Sequence, residues 1–229
     1  MSSGWEAGPR TDAIDKMITV IASLKGGTGK STVSFNLALW LAMHKKKVRL
    51  YDLDPQSTLT DVVDIRAEEG YTPSLDLIHD FKDLEDRPLA RGTEVLIDVG
   101  TADMETMNIA LAQADRIVVP VPPSQADVWS TQRFLRMIKQ IHSSKENANP
   151  EVLGFVNRAD THLYVRESDE TAEALGLLPG IEPMKTRLHQ RTVYRRSFSE
   201  GLAVFELAPM SKAASEIKQL AGELYGKVK

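Results

Sequence analysis

The chain is 229 residues long, 42% hydrophobic and 26% charged, with a formal net charge of −4 and no cysteine. The missing cysteines remove disulfide scaffolds, zinc–cysteine sites, iron–sulfur clusters and cysteine nucleophiles together, and fit a reducing compartment. The acidic balance rules out a uniformly basic nucleic-acid coat, though not a local basic patch. Gly 14 and Pro 11 are near average usage, which excludes collagen-like and low-complexity chains.

Met1 to Lys16 is polar and mixed in charge, without the apolar core of a signal peptide. It is expected to be a flexible leader or tag-like tail ahead of one domain over 17–229, since no repeat or long linker divides the rest. No run approaches the roughly 18 to 20 apolar residues of a membrane helix, so a cytoplasmic protein is the expectation.

Ile18 to Ala22 is a β-rich apolar run met at once by a glycine cluster, and predicts the first strand. Ser31 to His44 carries Val33, Phe35, Leu37, Leu39, Leu41 and Met43, which predicts a largely buried helix. Lys45, Lys46 and Lys47 follow it, where the helix dipole favours cations. Val48 to Leu53 predicts a second strand running into Asp54-Pro55-Gln56. Gly70 to Gly92 is polar and Asp-rich, and offers only a short helix around Leu75 to His79. Further strands are predicted over Glu94 to Asp98, Arg116 to Val121 and Val152 to Asn157, with a short one in Leu178 to Pro183. Met104 to Ala114, Gln125 to His142 and Tyr164 to Leu175 are long enough for helices between them. Short continuous apolar strands alternating with helices predict an α/β fold: a doubly wound, mostly parallel sheet with helices on both faces.

The strongest local signal is Lys25-Gly26-Gly27-Thr28-Gly29-Lys30-Ser31-Thr32, placed between the first strand and the first helix. Glycines let backbone N–H groups close around phosphate oxygens. Lys30 supplies a point charge to the β and γ phosphates, the Ser31 hydroxyl can ligate Mg²⁺, and the helix start adds its positive end. The usual phosphate-loop pattern wants glycine at position 24, where this chain has Leu24; it has instead Lys25 ahead of a Gly-Gly pair.

With that lysine the octapeptide resembles the deviant Walker A box, K-G-G-x-G-K-[ST]-T, of the ParA/MinD family of P-loop ATPases. The resemblance implies a P-loop NTPase fold with ATP and Mg²⁺ as ligands. It implies that Lys25 reaches the nucleotide held by the other subunit of an ATP sandwich dimer. Asp52-Leu53-Asp54-Pro55-Gln56 is similar to the family's D-x-D-P-Q box. By that likeness Asp54 positions or activates the attacking water, while Asp52 supports Mg²⁺ and loop geometry. Val95-Leu96-Ile97-Asp98 resembles Walker B, whose acid holds Mg²⁺ through water; Val99-Gly100-Thr101 departs from the family's usual continuation and leaves Thr101 as a candidate near the γ-phosphate. Ala110 to Asp115, Val118 to Ser124, and the late set Arg187, Arg191, Tyr194, Gly201, Val204 and Glu206 are also family-like. Asn157 and Arg158 fall where the family's Asn hydrogen-bonds adenine, an amide offering both donor and acceptor to a base edge; a capped strand end is the plainer alternative. The implied set is thus Lys25, Lys30 and Asp54 for catalysis, Lys25 to Thr32 with Asn157 and Arg158 for nucleotide binding, and Ser31, Asp52 and Asp98 for the metal.

Lys185, Arg187, Arg191, Arg195 and Arg196, with His189, form an acid-free run, a candidate patch for phosphate contacts. The resemblance implies nonspecific DNA binding by the ATP dimer and association with the nucleoid; a solvated face or a loop beside the nucleotide stays open. Ser211 to Lys229 carries the apolar stripe Ile217, Leu220, Ala221, Leu224 and Val228. The stripe suits a membrane-surface helix of the MinD sort or, more simply, a helix packed on the sheet, since it is short and lacks Phe and Trp; no stable membrane association is expected. His44, His79, His142, His162 and His189 lack ligand spacing, so no zinc site is read.

The function implied is an ATPase that dimerises on ATP, binds nonspecific DNA and positions a cargo. The cargo would be a plasmid, a chromosome origin or a protein assembly such as a carboxysome, with a ParB-like or other small adaptor stimulating hydrolysis. The alternatives are a membrane-associated division-site regulator and an ATP-dependent carboxylate-activating synthetase of the dethiobiotin synthetase kind. The absent cysteines weigh against the glutamine-dependent amidotransfer branch of the same fold.

Overall fold

A computed structural model describes residues 17–81, 90–143, 149–162 and 166–226; the leader expected over residues 1–16 lies outside them. In chain order the elements are β1 (Met17–Ile21), α1 (Lys30–Met43), β2 (Lys47–Leu53), α2 (Thr58–Glu68), β3 (Leu77–Ile78), β4 (Thr93–Val99), α3 (Met104–Gln113) and β5 (Arg116–Val121). They continue with α4 (Gln125–His142), β6 (Glu151–Ala159), α5 (Glu167–Leu177), β7 (Glu182–Pro183), β8 (Leu188–His189), α6 (Thr192–Ser199), α7 (Val204–Leu207) and α8 (Lys212–Tyr225). The sheet runs β3-β2-β4-β1-β5-β6-β7 with β8 also paired to β6, and every pairing is parallel. This is the predicted doubly wound architecture.

Helices lie on both sides because the central strands are apolar on both faces. Ile18 and Val20 of β1 join Val95 and Ile97 of β4 in a core with Met107, Leu111 and Phe134 of α3 and α4. Ile21 of β1, Leu50 of β2 and Leu96 of β4 face the other way, against α1, α2 and α8. The two-residue period therefore carries Asp52 and Asp98 to the same face as Leu50 and Leu96, toward α1. β1 lies between β4 and β5, so the connections leaving its carboxyl end and those of β2 and β4 open on one crevice, where ligands of such sheets bind.

Two expectations need correction, and one helix went unpredicted. Leu75 to His79 is not a helix; Leu77 and Ile78 pair in parallel with Leu50 and Tyr51 as a two-residue edge strand. Tertiary pairing outweighs weak local preference over so short a run. The last strand keeps only Glu182–Pro183 of the predicted Leu178 to Pro183. Helix α2 had no predicted counterpart, although Leu59, Val62, Val63 and Arg66 fall on its buried side. An arginine at the core-facing position breaks the apolar period that would have revealed it.

That arginine is fully buried, at 1% exposure. It makes a two-pronged pair with Glu206 of α7, with both Nη–Oε distances 2.9 Å, and also donates to the carbonyl oxygens of Pro73 and Gly201. Four of its five N–H donors are thus engaged, and α2 is fastened to the C-terminal part of the chain. Removing one partner strands the other charge in the interior. Glu206→Ala should therefore lower unfolding stability by about 3–5 kcal/mol in urea titrations, whereas replacing both residues by apolar ones of similar volume should cost much less.

Candidate functional site

The loop between β1 and α1 is held closed from within. The Ser23 and Thr28 hydroxyls lie 2.9 Å apart, Ser23 Oγ donates to the Lys25 carbonyl at 3.0 Å, and Asn157 Nδ2 donates to the Thr28 carbonyl at 2.6 Å. Gly29 has φ +93°, and a Cβ there would stand 2.5 Å from Asn157 Nδ2, so only glycine allows both the turn and the brace. Asn157, expected to read adenine, thus commits one of its two amide hydrogens to the loop and keeps the other hydrogen and the carbonyl oxygen. The next residue, Arg158, sits at φ +57°. Strained backbone of this kind persists where surrounding contacts over-determine it, and clusters at working sites.

Lys30 opens α1 and is 7% exposed. Burial lowers its pKa, opposed by the charges of Asp98 and Asp54. Asp98, at the end of β4, is completely buried; loss of solvent pushes it up to about 7, with the Asp52 charge adding to the rise while Ser31, Ser34 and Lys30 oppose it. Ser34 Oγ donates to Asp98 Oδ1 at 3.2 Å, while Oδ2 is buried with no hydrogen-bond partner among the described residues. A bare carboxylate oxygen near the Ser31 hydroxyl is the hard-oxygen donor set that Mg²⁺ takes, with water and phosphate completing its octahedron. The residues present fit that ion.

Asp52 is occupied differently. Its Oδ1 accepts from the Asp54 amide at 3.2 Å, and its Oδ2 accepts from Thr60 N at 2.8 Å and Thr60 Oγ1 at 2.7 Å. It therefore shapes the turn and the first turn of α2, leaving Asp54 free to lean over the end of β4. A Cβ on Gly100 would collide with the Asp54 carboxylate, so the glycine departing from the family pattern makes room for it. Gly26, Lys30, Ser31, Asp54, Gln56 and Thr101 share the walls of a cavity of about 410 Å³. Thr101, the candidate for a position near the γ-phosphate, thus lines the same cavity as Lys30 and Ser31. A second cavity of about 480 Å³ adjoins it through Gly29, Thr32 and Arg158, walled by His189, Gln190, Tyr194 and Phe198. Gln56 is the last residue of the D-x-D-P-Q-like box, whereas Gln190 and Phe198 carry no motif signal and were not read from the sequence.

Lys25 points away from both cavities. Its Nζ pairs with Asp127 at 2.9 Å, and Asp127 is itself fixed by the Ser124 hydroxyl at the start of α4.

The acid-free run of cations is largely neutralised by acids from elsewhere in the chain. Arg187 pairs with Asp169, Arg196 with Glu200, and Arg191 with Glu216, which also accepts from His189 and Tyr194. Lys185 and Arg195 are exposed and make no ion pair among the described residues. The α8 stripe is buried: Ile217, Leu220, Ala221 and Leu224 join the core with α1, as the packing reading expected, and Val228 lies outside the described residues. Among the described residues no helix is long and apolar enough to cross a membrane.

Residues 19–202 match the family model of the CobQ/CobB/MinD/ParA nucleotide binding domain. The chain belongs to that family. It is 31% identical to the maintenance of carboxysome distribution protein A of Halothiobacillus neapolitanus, over 93% of this chain and 98% of that one. It is 28% identical to the chromosome-partitioning ATPase Soj of Thermus thermophilus, over 91% of this chain and 95% of that one. Among solved structures, the ATP complex of a McdA variant from Cyanothece superposes with a TM-score of 0.73 at 19% identity, covering 93% of this chain and 98% of the other. The septum site-determining protein MinD of Pyrococcus horikoshii with Mg-ADP gives 0.69 at 18%, covering 92% and 96%. The two likenesses confirm the ParA/MinD fold.

A carboxyl whose folded pKa lies above its unfolded value costs stability as pH rises between the two, because the native state then holds the extra proton. For Asp98 that window runs from 3.8 to about 7. In the metal-free protein Asp98→Asn should raise unfolding stability at pH 8, on the order of 3 kcal/mol, with the gain shrinking toward pH 4. Urea titrations at the two pH values measure it.

Proposed function

We propose that this ParA/MinD-family protein is a ParA-type ATPase that binds ATP with Mg²⁺, dimerises on ATP, holds nonspecific DNA and positions a cargo whose adaptor stimulates hydrolysis. The observation that carries the reading is the glycine loop closed beside a cavity lined by Lys30, Ser31 and Asp54, with the buried Asp98 carboxylate behind Ser31 and Lys30. Bound Mg²⁺ would neutralise charge between the β and γ phosphates. In this reading the loop amides and Lys30 hold the phosphates, and Ser31 and Asp98 hold the ion. Asp54, kept in place by Asp52 and Gly100, orients the attacking water. The neighbouring cavity takes the base, with Arg158 at the joint between the two. A relative named for carboxysome distribution, at 31% identity and nearly full length, supports a protein assembly as the cargo.

Lys25 supports the dimer. An ammonium held by Asp127 in one subunit is available to a second subunit's nucleotide once that pair opens, and triphosphate offers more negative charge than one carboxylate. Lys185 and Arg195 are the cations free to meet DNA phosphates.

Two measurements test this. Wild type should bind random-sequence duplex DNA only with ATP, and Lys30→Gln should not bind it. Lys185→Glu with Arg195→Glu should abolish DNA binding while ATP-driven dimerisation, followed by light scattering, persists. ATP-independent DNA binding, or none by the wild type, would sink the positioning model. Separately, Asp127→Asn should release Lys25 and bring dimerisation to lower ATP concentration, roughly threefold or more for a partly exposed pair worth about 1 kcal/mol; an unchanged midpoint removes the tether from the argument.

A further inference from the structure

Helix α4 has one side in the core, through Val128, Phe134, Leu135 and Ile138. Its other side is unlike the rest of this acidic surface. Trp129 is 55% exposed, and Arg133, Arg136 and Lys139 follow it on the same outward stripe with no acid among them. None of the three cations makes an ion pair among the described residues, although exposed acids stand on neighbouring helices: Glu105 on α3 and Glu170 and Glu173 on α5. From Trp129 to Lys139 the stripe runs about 15 Å, at 1.5 Å per residue.

Beside the lower half of this stripe lies a cavity of about 560 Å³ between α4 and the chain entering β6 and β7. Leu135, Ile138 and Val152 give it an apolar floor, Arg136 and Lys139 stand on its rim, and no described residue lining it is an acid. His142 also lines it and is 4% exposed. Its Nε2 lies 3.0 Å from the Leu111 carbonyl oxygen, which can only accept, so Nε2 donates, and Nδ1 is buried with no hydrogen-bond partner among the described residues.

We propose that this face of α4 and the adjoining cavity dock an acidic, amphipathic polypeptide segment of a partner protein. Carboxylates of the segment meet Arg133, Arg136 and Lys139. An apolar side chain enters the cavity over Leu135 and Ile138, and a second packs on Trp129. Tryptophan and arginine are the residues that dominate binding energy at protein interfaces, and an apolar pocket rimmed by cations is complementary to such a segment. Duplex DNA offers phosphates for the cations but nothing for the apolar floor. The stripe is also longer than a small metabolite needs. Trp129 lies within one helical turn of Asp127, so a segment seated here touches the turn that holds Lys25.

The site is separate from the phosphate cavity, and its test does not depend on ATP. The probe is a dye-labelled synthetic peptide with glutamates on one helical face and leucines on the other, followed by fluorescence anisotropy with the full chain at low salt. Saturable binding is expected, weakened roughly tenfold or more by Arg136→Glu with Lys139→Glu, weakened also by Trp129→Ala, and unchanged by Lys30→Gln. All these positions except Lys30 are on the surface, and circular dichroism verifies folding. No saturable binding, or equal binding by the charge-reversed variant, overturns the proposal. So does labelled duplex DNA bound through Arg136 and Lys139 in place of the peptide, or ATP-free self-association of the wild type abolished by the same two changes. Loss of peptide binding in Lys30→Gln would place the peptide at the phosphate loop, against the proposal, whereas DNA binding fails or succeeds on its own assay.

Discussion

The parallel pairing of β2 with β4 makes Asp52 and Asp98 direct partners, and the strand period turns both toward the first turn of α1. Two carboxylates so placed repel one another in a buried, low-dielectric setting, and the local structure follows from how each is satisfied. Asp52 accepts three hydrogen bonds from Asp54 and Thr60, and by doing so fixes the turn that presents Asp54. Asp98 has the Ser34 hydroxyl and one oxygen without a partner, so its charge is expensive until a cation arrives. Lys30 opposes that cost only in part, because burial depresses the ammonium as well. The site is thus built short of positive charge, which is the electrostatic condition for taking up a divalent ion together with an anionic ligand.

The C-terminal third of the chain is fastened to this centre by two inward-facing acids. Glu206 holds Arg66 of α2, and Glu216, 8% exposed, gathers His189, Arg191 and Tyr194 into one network. His189 and Tyr194 also wall the cavity beside the glycine loop. The position of α8 therefore sets the shape of that wall, and the buried apolar stripe of α8 is what fixes α8. Displacing the stripe onto a membrane would open the core against α1, pull Tyr225 from its stack on Trp40 and release Glu216 from its partners, a large penalty for so short a stripe.

The sequence made the central elements legible because they are locally consistent. Arg116–Val121 and Gln125–His142 have the predicted bounds, and the other long strands differ by one or two residues at an end. The glycine loop could be read residue by residue because close approach of backbone to phosphate restricts the residue types that fit. What could not be read depends on partners far away in the chain. Helix α2 hides behind Arg66, whose burial makes sense only with Glu206, 140 positions later. Asn157 sits where a base reader was expected, yet its hydrogen bond to Thr28 depends on β6 and the glycine loop after β1 meeting across β5. The wall residues Gln190 and Phe198 come from α6 and its approach, which no periodicity announced.

The run from Lys185 to Arg196 shows the same limit in terms of charge. A window of sequence counts cations, but a surface presents only those without a counter-charge. Arg187, Arg191 and Arg196 each have a carboxylate within hydrogen-bonding distance, so each must lose that partner before gaining a phosphate. Arg191 has the most to lose, because its carboxylate is buried and would be stranded. Arg196, paired at the surface with Glu200, loses little. Lys185 and Arg195 exchange only solvent. Affinity for an anionic surface should therefore rest on few cations per subunit, and few cations give weak binding with a shallow salt dependence. On the proposed reading, useful affinity would come when two subunits present their cations together, so closure of the proposed dimer, and not the net charge of −4, would decide DNA binding.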